Sequence, residues 1–392
     1  MKKLFAPVVL LSAALAGAAT RVVQDQCGPF TDVSPAICPY VLEMYYLGIT
    51  AGTSPTTYSP DNPVTRGQTA VFVSKGVNQA IARSSRRAAL GQWWTTTPAY
   101  GAGLGFTPID IYVGQPCADG ADIWVPSEQS GVSRIRASDG ILLGTWTPGG
   151  ALSVLCAMGK VFFARAAFNS LYMIDPSGPP GAATLLTDQL GRGPRSLAFD
   201  GSRIWTANPV GLCACEPYPP GSISIITPGS WAVQTIDLGN LYPMSILFDG
   251  TNVWAAAGSS LLRFDSSGTI TQTVPVGGFA GAPIFDGENI WVPTDAGSVA
   301  VVRASSGNVL TTLTGNGLAS ATSAAFDGRR VLVLSLFGAP TGGVASLWDA
   351  QSLVPIGNVT IEGFGGTGAA SDGIQFWLAV SDFQSTGGLG RF

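Results

Sequence analysis

The sequence predicts an all-β seven-bladed β-propeller preceded by a small α-helical module. Three observations carry the prediction. A phrase recurs, as "FDGSRIWTAN" from Phe199, "FDGTNVWAAA" from Phe248, "FDGENIWVPT" from Phe285 and "FDGRRVLVLS" from Phe326. Aligned on its glycine it occurs seven times, at Gly120, Gly159, Gly201, Gly250, Gly287, Gly328 and Gly373, at intervals of about forty residues, the period of a four-stranded blade. Ahead of the repeats lies a stretch with helical spacing and no such phrase.

In chain order, residues 1–18 read as a secretory signal: two lysines, an apolar run from Leu4 to Ala16, and a small-residue site at Ala16-Gly17-Ala18. The run is too short to span a bilayer and no later segment stays apolar for long enough, so the expectation is an exported protein with no transmembrane segment in its mature chain. Residues 19–82 form the helical module. Ile37, Val41, Met44 and Leu47 fall near helical spacing, with Asp32 or Ser34 as the cap; Thr65 caps a second helix running through Val71 and Val73 towards Ile81. Asp32-Val33, Leu47-Gly48-Ile49, Gly52, Tyr58, Pro60, Pro63 and Thr65-Arg66 together resemble one S-layer homology repeat over about residues 27–82. Two departures stand out: one repeat where wall-binding members usually carry three, and Gln68 where the motif usually has glutamate.

Residues 83–102 form a linker. Arg83, Arg86 and Arg87 sit where the second helix ends and favour its dipole, with a binding patch as the other reading; Trp93 and Trp94 pack the linker, with sugar stacking as the other reading. Residues 103–392 are the propeller. In each unit a strand enters Asp-Gly, whose tolerance of positive φ makes a tight turn, and a second strand such as "NIWVPT" follows, then a third ("GSVAVVRASSG") and a fourth ("NVLTTLTG"). The alternation in these runs is that of half-buried strands. Four residues after the glycine stands Trp124, Phe163, Trp205, Trp254, Trp291, Leu332 or Trp377, read as an interblade wedge rather than a sugar-binding face. The seventh unit lacks a fourth strand, and the strand-like Gly103–Val113 supplies it, closing the ring and removing open edges. These blades resemble bacterial propellers of the NHL-like or virginiamycin-lyase-like kind.

Six cysteines in an exported chain predict disulfides. Cys27 and Cys38 flank a short segment, Cys117 and Cys156 occupy one slot in adjacent repeats, and Cys213 and Cys215 share the loop "ANPVGLCACEPYPPGS", where with Glu216 they are an alternative soft-metal set. No metal or other cofactor is expected. Lysine and arginine number 20 against 24 acids, a composition that does not suggest the basic patch a polyanion would need, so nucleic acid is not an expected partner. The chain has no histidine, which excludes imidazole bases and His-dependent triads. Lyase-type propellers depend on histidine, so that activity is not carried over. The recurring Asp119, Asp200, Asp249, Asp286, Asp327 and Asp372 each precede glycine and read as turn residues, not as catalytic carboxylates.

The expected function is an exported, non-enzymatic cell-envelope protein: a module that attaches, and a propeller that presents loops to a ligand or protein partner. The resemblance implies a secondary cell-wall glycan as the module's target and Arg66 as its contact, since a planar guanidinium suits an acidic sugar; the other reading of Arg66 has it satisfy a local carboxylate or carbonyl. The rivals are a polysaccharide lyase or glycoside hydrolase-like enzyme using propeller carboxylates, and a structural surface-layer protein.

Overall fold

The structure is a computed structural model that describes residues 27, 29–34, 36–46, 49–73, 105–137, 140–210, 219–338 and 342–392. The chain forms two compact units, 1–82 and 83–392. Residues 1–18, read above as a secretory signal, Arg83, Arg86, Arg87, Trp93 and Trp94 of the expected linker, and the Cys213–Cys215 loop lie outside the described residues.

The first unit is built on one aromatic. Phe30 is 1% exposed and packs edge-on against Tyr45 at 5.1 Å and against Tyr58 at 5.3 Å, within a core that includes Val33 and Val41. A disulfide joins Cys27 to Cys38, with 5.5 Å between Cα atoms, tying the entry segment to helix α1 (Cys38–Tyr46). Gly52 is required by space: a Cβ there would lie 2.6 Å from the Phe30 ring and 2.5 Å from the Ser54 carbonyl.

Two expectations for this unit are corrected. Helix α1 starts at Cys38, not at Asp32, so Ile37 lies in the preceding turn and is exposed while Val41 is buried. Asp32 caps nothing. Its two oxygens accept the backbone N–H groups of Tyr58 (2.8 Å) and Ser59 (2.7 Å), so it fastens the 58–59 loop, and the Tyr58 N–H above all lowers its pKa despite some desolvation. At the second helix the cap is where the sequence places it. The Gln68 N–H donates to Thr65 Oγ1 and the Thr65 N–H donates to Gln68 Oε1, a reciprocal capping box in which glutamine replaces glutamate. Helix follows over residues 66–73.

The second unit holds seven four-stranded antiparallel sheets among the described residues, each in chain order from its first to its fourth strand except the last. Blade I comprises Cys117–Ala118, Asp122–Pro126, Val132–Arg136 and Leu142–Trp146; blades II to VI begin at Ala151, Ser196, Pro243, Ile284 and Ala321. Blade VII takes Gly365–Ser371, Phe376–Ser381 and Gly387–Arg391, and its outer strand is Phe106–Pro108, with Phe106 opposite Gly390 and Pro108 opposite Gly388.

Burial departs from simple alternation in a way that the ring explains. The second strands of blades I, III, IV, V and VII are buried at every residue, because each blade is covered on both faces by its neighbours. Alternation survives on fourth strands such as Ile270–Pro275 and Val309–Thr314, at the rim. Apolar clusters accordingly span adjacent blades: Trp205, Ile223 and Ile225 of blade III pack with Ile246, Ala255 and Phe264 of blade IV.

Each turn aspartate does two jobs. In blade IV, Asp249 Oδ1 accepts the N–H groups of Thr251 (2.7 Å) and Asn252 (2.6 Å), and Oδ2 accepts the indole N–H of Trp254 at 2.7 Å. The same bond joins Asp119 to Trp124, Asp200 to Trp205, Asp286 to Trp291 and Asp372 to Trp377. The five indoles are 0 or 1% exposed, so the carboxylate removes the penalty of an unpaired buried donor. Blade VI has Leu332 in the slot, and there Arg330 Nε and Nη2 bind Asp327 at 2.7 and 2.6 Å in a buried pair. Blade II has Met158 in place of the turn aspartate and Phe163 in place of the tryptophan; Cys156 there forms a disulfide with Cys117 of blade I, Cα atoms 5.9 Å apart.

Candidate functional site

The first strands enclose a central cavity of about 460 Å³. Around it runs a girdle of bonds between blades. Gln115 pairs with blade II through its N–H to the Leu152 carbonyl (2.9 Å) and reaches blade VII through Nε2 to the Ala369 carbonyl (2.5 Å). Ser153 Oγ donates to the Arg195 carbonyl (2.9 Å), Ser196 Oγ accepts the Ile246 N–H (3.2 Å), the Ala282 N–H donates to the Thr322 carbonyl (2.7 Å), and Thr322 Oγ1 donates to the Gly366 carbonyl (3.1 Å). The polar groups of the wall are thus engaged in holding the ring.

Arg195 is different. It lines the cavity, is solvent-exposed, and makes no side-chain hydrogen bond or ion pair among the described residues. Desolvation by the surrounding wall lowers its pKa below the ordinary arginine value, while the charge of Glu128 acts the other way. Exposure and desolvation coexist because the guanidinium stands in an open, protein-walled mouth. The sequence reading missed this residue. Its signal lies in the repeat alignment: six residues before each glycine stand Gly114, Ser153, Arg195, Met244, Gly281, Thr322 and Thr367, and only one is charged.

The recurring carboxylates do not converge on the cavity. They are held in turns by backbone and indole donors, and among the described residues the one carboxylate that lines the cavity is Asp295, whose Oδ1 accepts the Phe279 N–H at 2.8 Å. A glycosidase pair flanking a bond is not assembled there.

In the first unit, Arg66 occupies the first turn of the second helix, exposed, without a hydrogen bond or ion pair among the described residues. It borders an open depression with Val64, Thr69, Ala70 and Val73. Val64 and Val73 are 55 and 60% exposed, so the cation is flanked by apolar surface. Among the described residues neither a carboxylate nor a carbonyl bonds to it. Among the described residues no helix is long and apolar enough to cross a membrane.

Comparison with known families matches residues 29–70 to the S-layer homology domain, while no curated protein matches the chain. The matched span contains the Phe30 core, the Asp32 fastening, Gly52 and the Thr65–Gln68 capping box. The chain therefore carries an S-layer homology domain ahead of a seven-bladed β-propeller.

Proposed function

We propose that this is an exported cell-envelope binding protein, in which the S-layer homology domain holds the molecule to an acidic envelope glycan through Arg66 and the propeller presents its cavity and loops to a ligand or protein partner. The observation that carries the attachment is the uncommitted, exposed guanidinium of Arg66 inside the matched domain, bordered by Val64 and Val73. A planar fork takes a sugar carboxylate in two parallel bonds, and the apolar rim packs against the ring's C–H face. The likeness of the blades to NHL-like or virginiamycin-lyase-like propellers enters here as a ligand-presenting architecture only, because a chain without histidine lacks the lyase's base. A single module implies modest affinity, raised when several copies meet one polymer.

The test is co-sedimentation of the full chain with isolated envelopes. Arg66→Ala is expected to weaken binding about tenfold or more, the worth of a charge-assisted contact, and Arg66→Lys to restore it partly, since lysine keeps charge without the fork. Unchanged sedimentation of both variants would move attachment away from Arg66.

A further inference from the structure

We propose that the central cavity of the propeller binds a small organic carboxylate with an apolar body, the carboxylate seated on Arg195. The inference rests on reading the propeller as the ligand-presenting half of the molecule and names the chemistry of that ligand.

Three features lead to it. First, the cavity, at about 460 Å³, falls within the range of small-molecule sites. Second, its polar inventory is mostly spent. Gln115, Ser153, Ser196 and Thr322 hold blade to blade, and Thr367 Oγ1 donates to the Ala379 carbonyl at 3.0 Å. A sugar, which needs a partner for each hydroxyl, finds few there. Third, what remains uncommitted is one cation and apolar surface: Arg195, with Met244, Leu336 and Phe279, the last 68% exposed. A guanidinium that makes no hydrogen bond or ion pair among the described residues, and that Glu128 influences only through its charge, recovers lost hydration in this partly desolvated mouth when a carboxylate enters, and the apolar remainder of the ligand covers Phe279 and Met244. Asp295, on blade V, two blades from Arg195 in the ring, has its Oδ1 engaged by the Phe279 N–H. One anionic group on an apolar body is the complement of that arrangement.

The probe is 3-phenylpropionate, compared with 3-phenylpropionamide, its uncharged counterpart, by titration calorimetry on the full chain. The acid is expected to bind about tenfold or more tightly than the amide, as a charge-assisted contact requires. Arg195→Gln is expected to remove that preference, leaving acid and amide equal, while its far-UV circular dichroism and unfolding curve match the wild type. Phe279→Ala is expected to weaken acid and amide alike. Equal binding of acid and amide to the wild type would overturn the assignment of charge and leave the cavity as an apolar site. Binding of neither at millimolar concentration would overturn the inference and the small-molecule reading of the ring together, while leaving attachment through Arg66 to its own assay.

Discussion

The bond between Asp249 and Trp254 is predicted to couple the two residues by about 1.5 to 3 kcal/mol, the worth of a hydrogen bond to a charged group. Asp249→Asn keeps one oxygen for the Thr251 and Asn252 N–H groups but turns an NH2 towards the indole donor, 2.7 Å from the position of the lost oxygen. The buried Trp254, 0% exposed, is then left with an unpaired N–H. With the two backbone contacts also losing their charge assistance, the substitution is expected to cost about 2 to 4 kcal/mol. In a Trp254→Phe background there is no indole to orphan, so Asp249→Asn should cost about 1.5 to 3 kcal/mol less. The assay is urea unfolding of the four proteins in the cycle, followed by far-UV circular dichroism. Trp348→Phe is the internal control. Trp348 is 2% exposed and its Nε1 has no partner, so truncation there loses apolar area but relieves an unpaired donor. If the two single substitutions at 249 and 254 add within about 0.5 kcal/mol, the carboxylate is only a turn residue and the lock does not exist.

Further outcomes follow from other parts of the structure. Replacing Cys117 and Cys156 by serine opens a cross-link of sequence separation 39, which is expected to cost about 4 kcal/mol by chain entropy; an unchanged denaturation midpoint in non-reducing buffer would contradict it. Asp200 has a folded pKa of about 2, where desolvation is outweighed by donation from Trp205, Arg203 and Ser202. A folded pKa below the ordinary 3.8 stabilises above that value, and the contribution, on the order of 1 kcal/mol after screening by solvent, is lost as pH falls towards 2. The stability gap between wild type and Asp200→Asn should therefore shrink between about pH 5 and about pH 2.5, and a gap that holds constant would refute the assignment. Gly52→Ala forces a Cβ against the Phe30 ring and the Ser54 carbonyl, and is expected to destabilise the first unit by about 1 to 3 kcal/mol, read as loss of near-ultraviolet tyrosine and phenylalanine dichroism.

The blades were legible because their cause is local. Gly201, Gly250 and Gly287 adopt φ of 91°, 91° and 100°, conformations that L side chains resist, and the wedge stands at a fixed offset from each. Turn and packing are thus written within ten residues. The partner of each aspartate was less legible, since the sequence shows an Asp-Gly turn but not that the second oxygen has an indole in reach. Asp32 was misread for the same kind of reason. A capping signal is judged from the next few residues, whereas its acceptor role is towards Tyr58 and Ser59, 26 and 27 positions downstream. Arg195 escaped because a lone arginine in an otherwise typical repeat means nothing until the ring places it beside side chains from other blades. Arg66 was found by motif, and its lack of a local partner emerged only in three dimensions.

The strand that completes blade VII has a mechanical consequence. It is the first propeller strand in chain order among the described residues, so a molecule pulled from its amino-terminal side delivers tension to Phe106–Pro108 before the other described strands. That strand is held by three residue pairs to Gly388–Gly390, by the Thr107 hydroxyl on the Gly140 carbonyl at 2.6 Å, and by Phe106 against Phe364. Force would peel this short edge first and leave Gln115, bonded to Ala369, as the next restraint between blades I and VII. A pulling experiment from the amino-terminal side should therefore open the propeller at blade VII while blades II to VI remain folded.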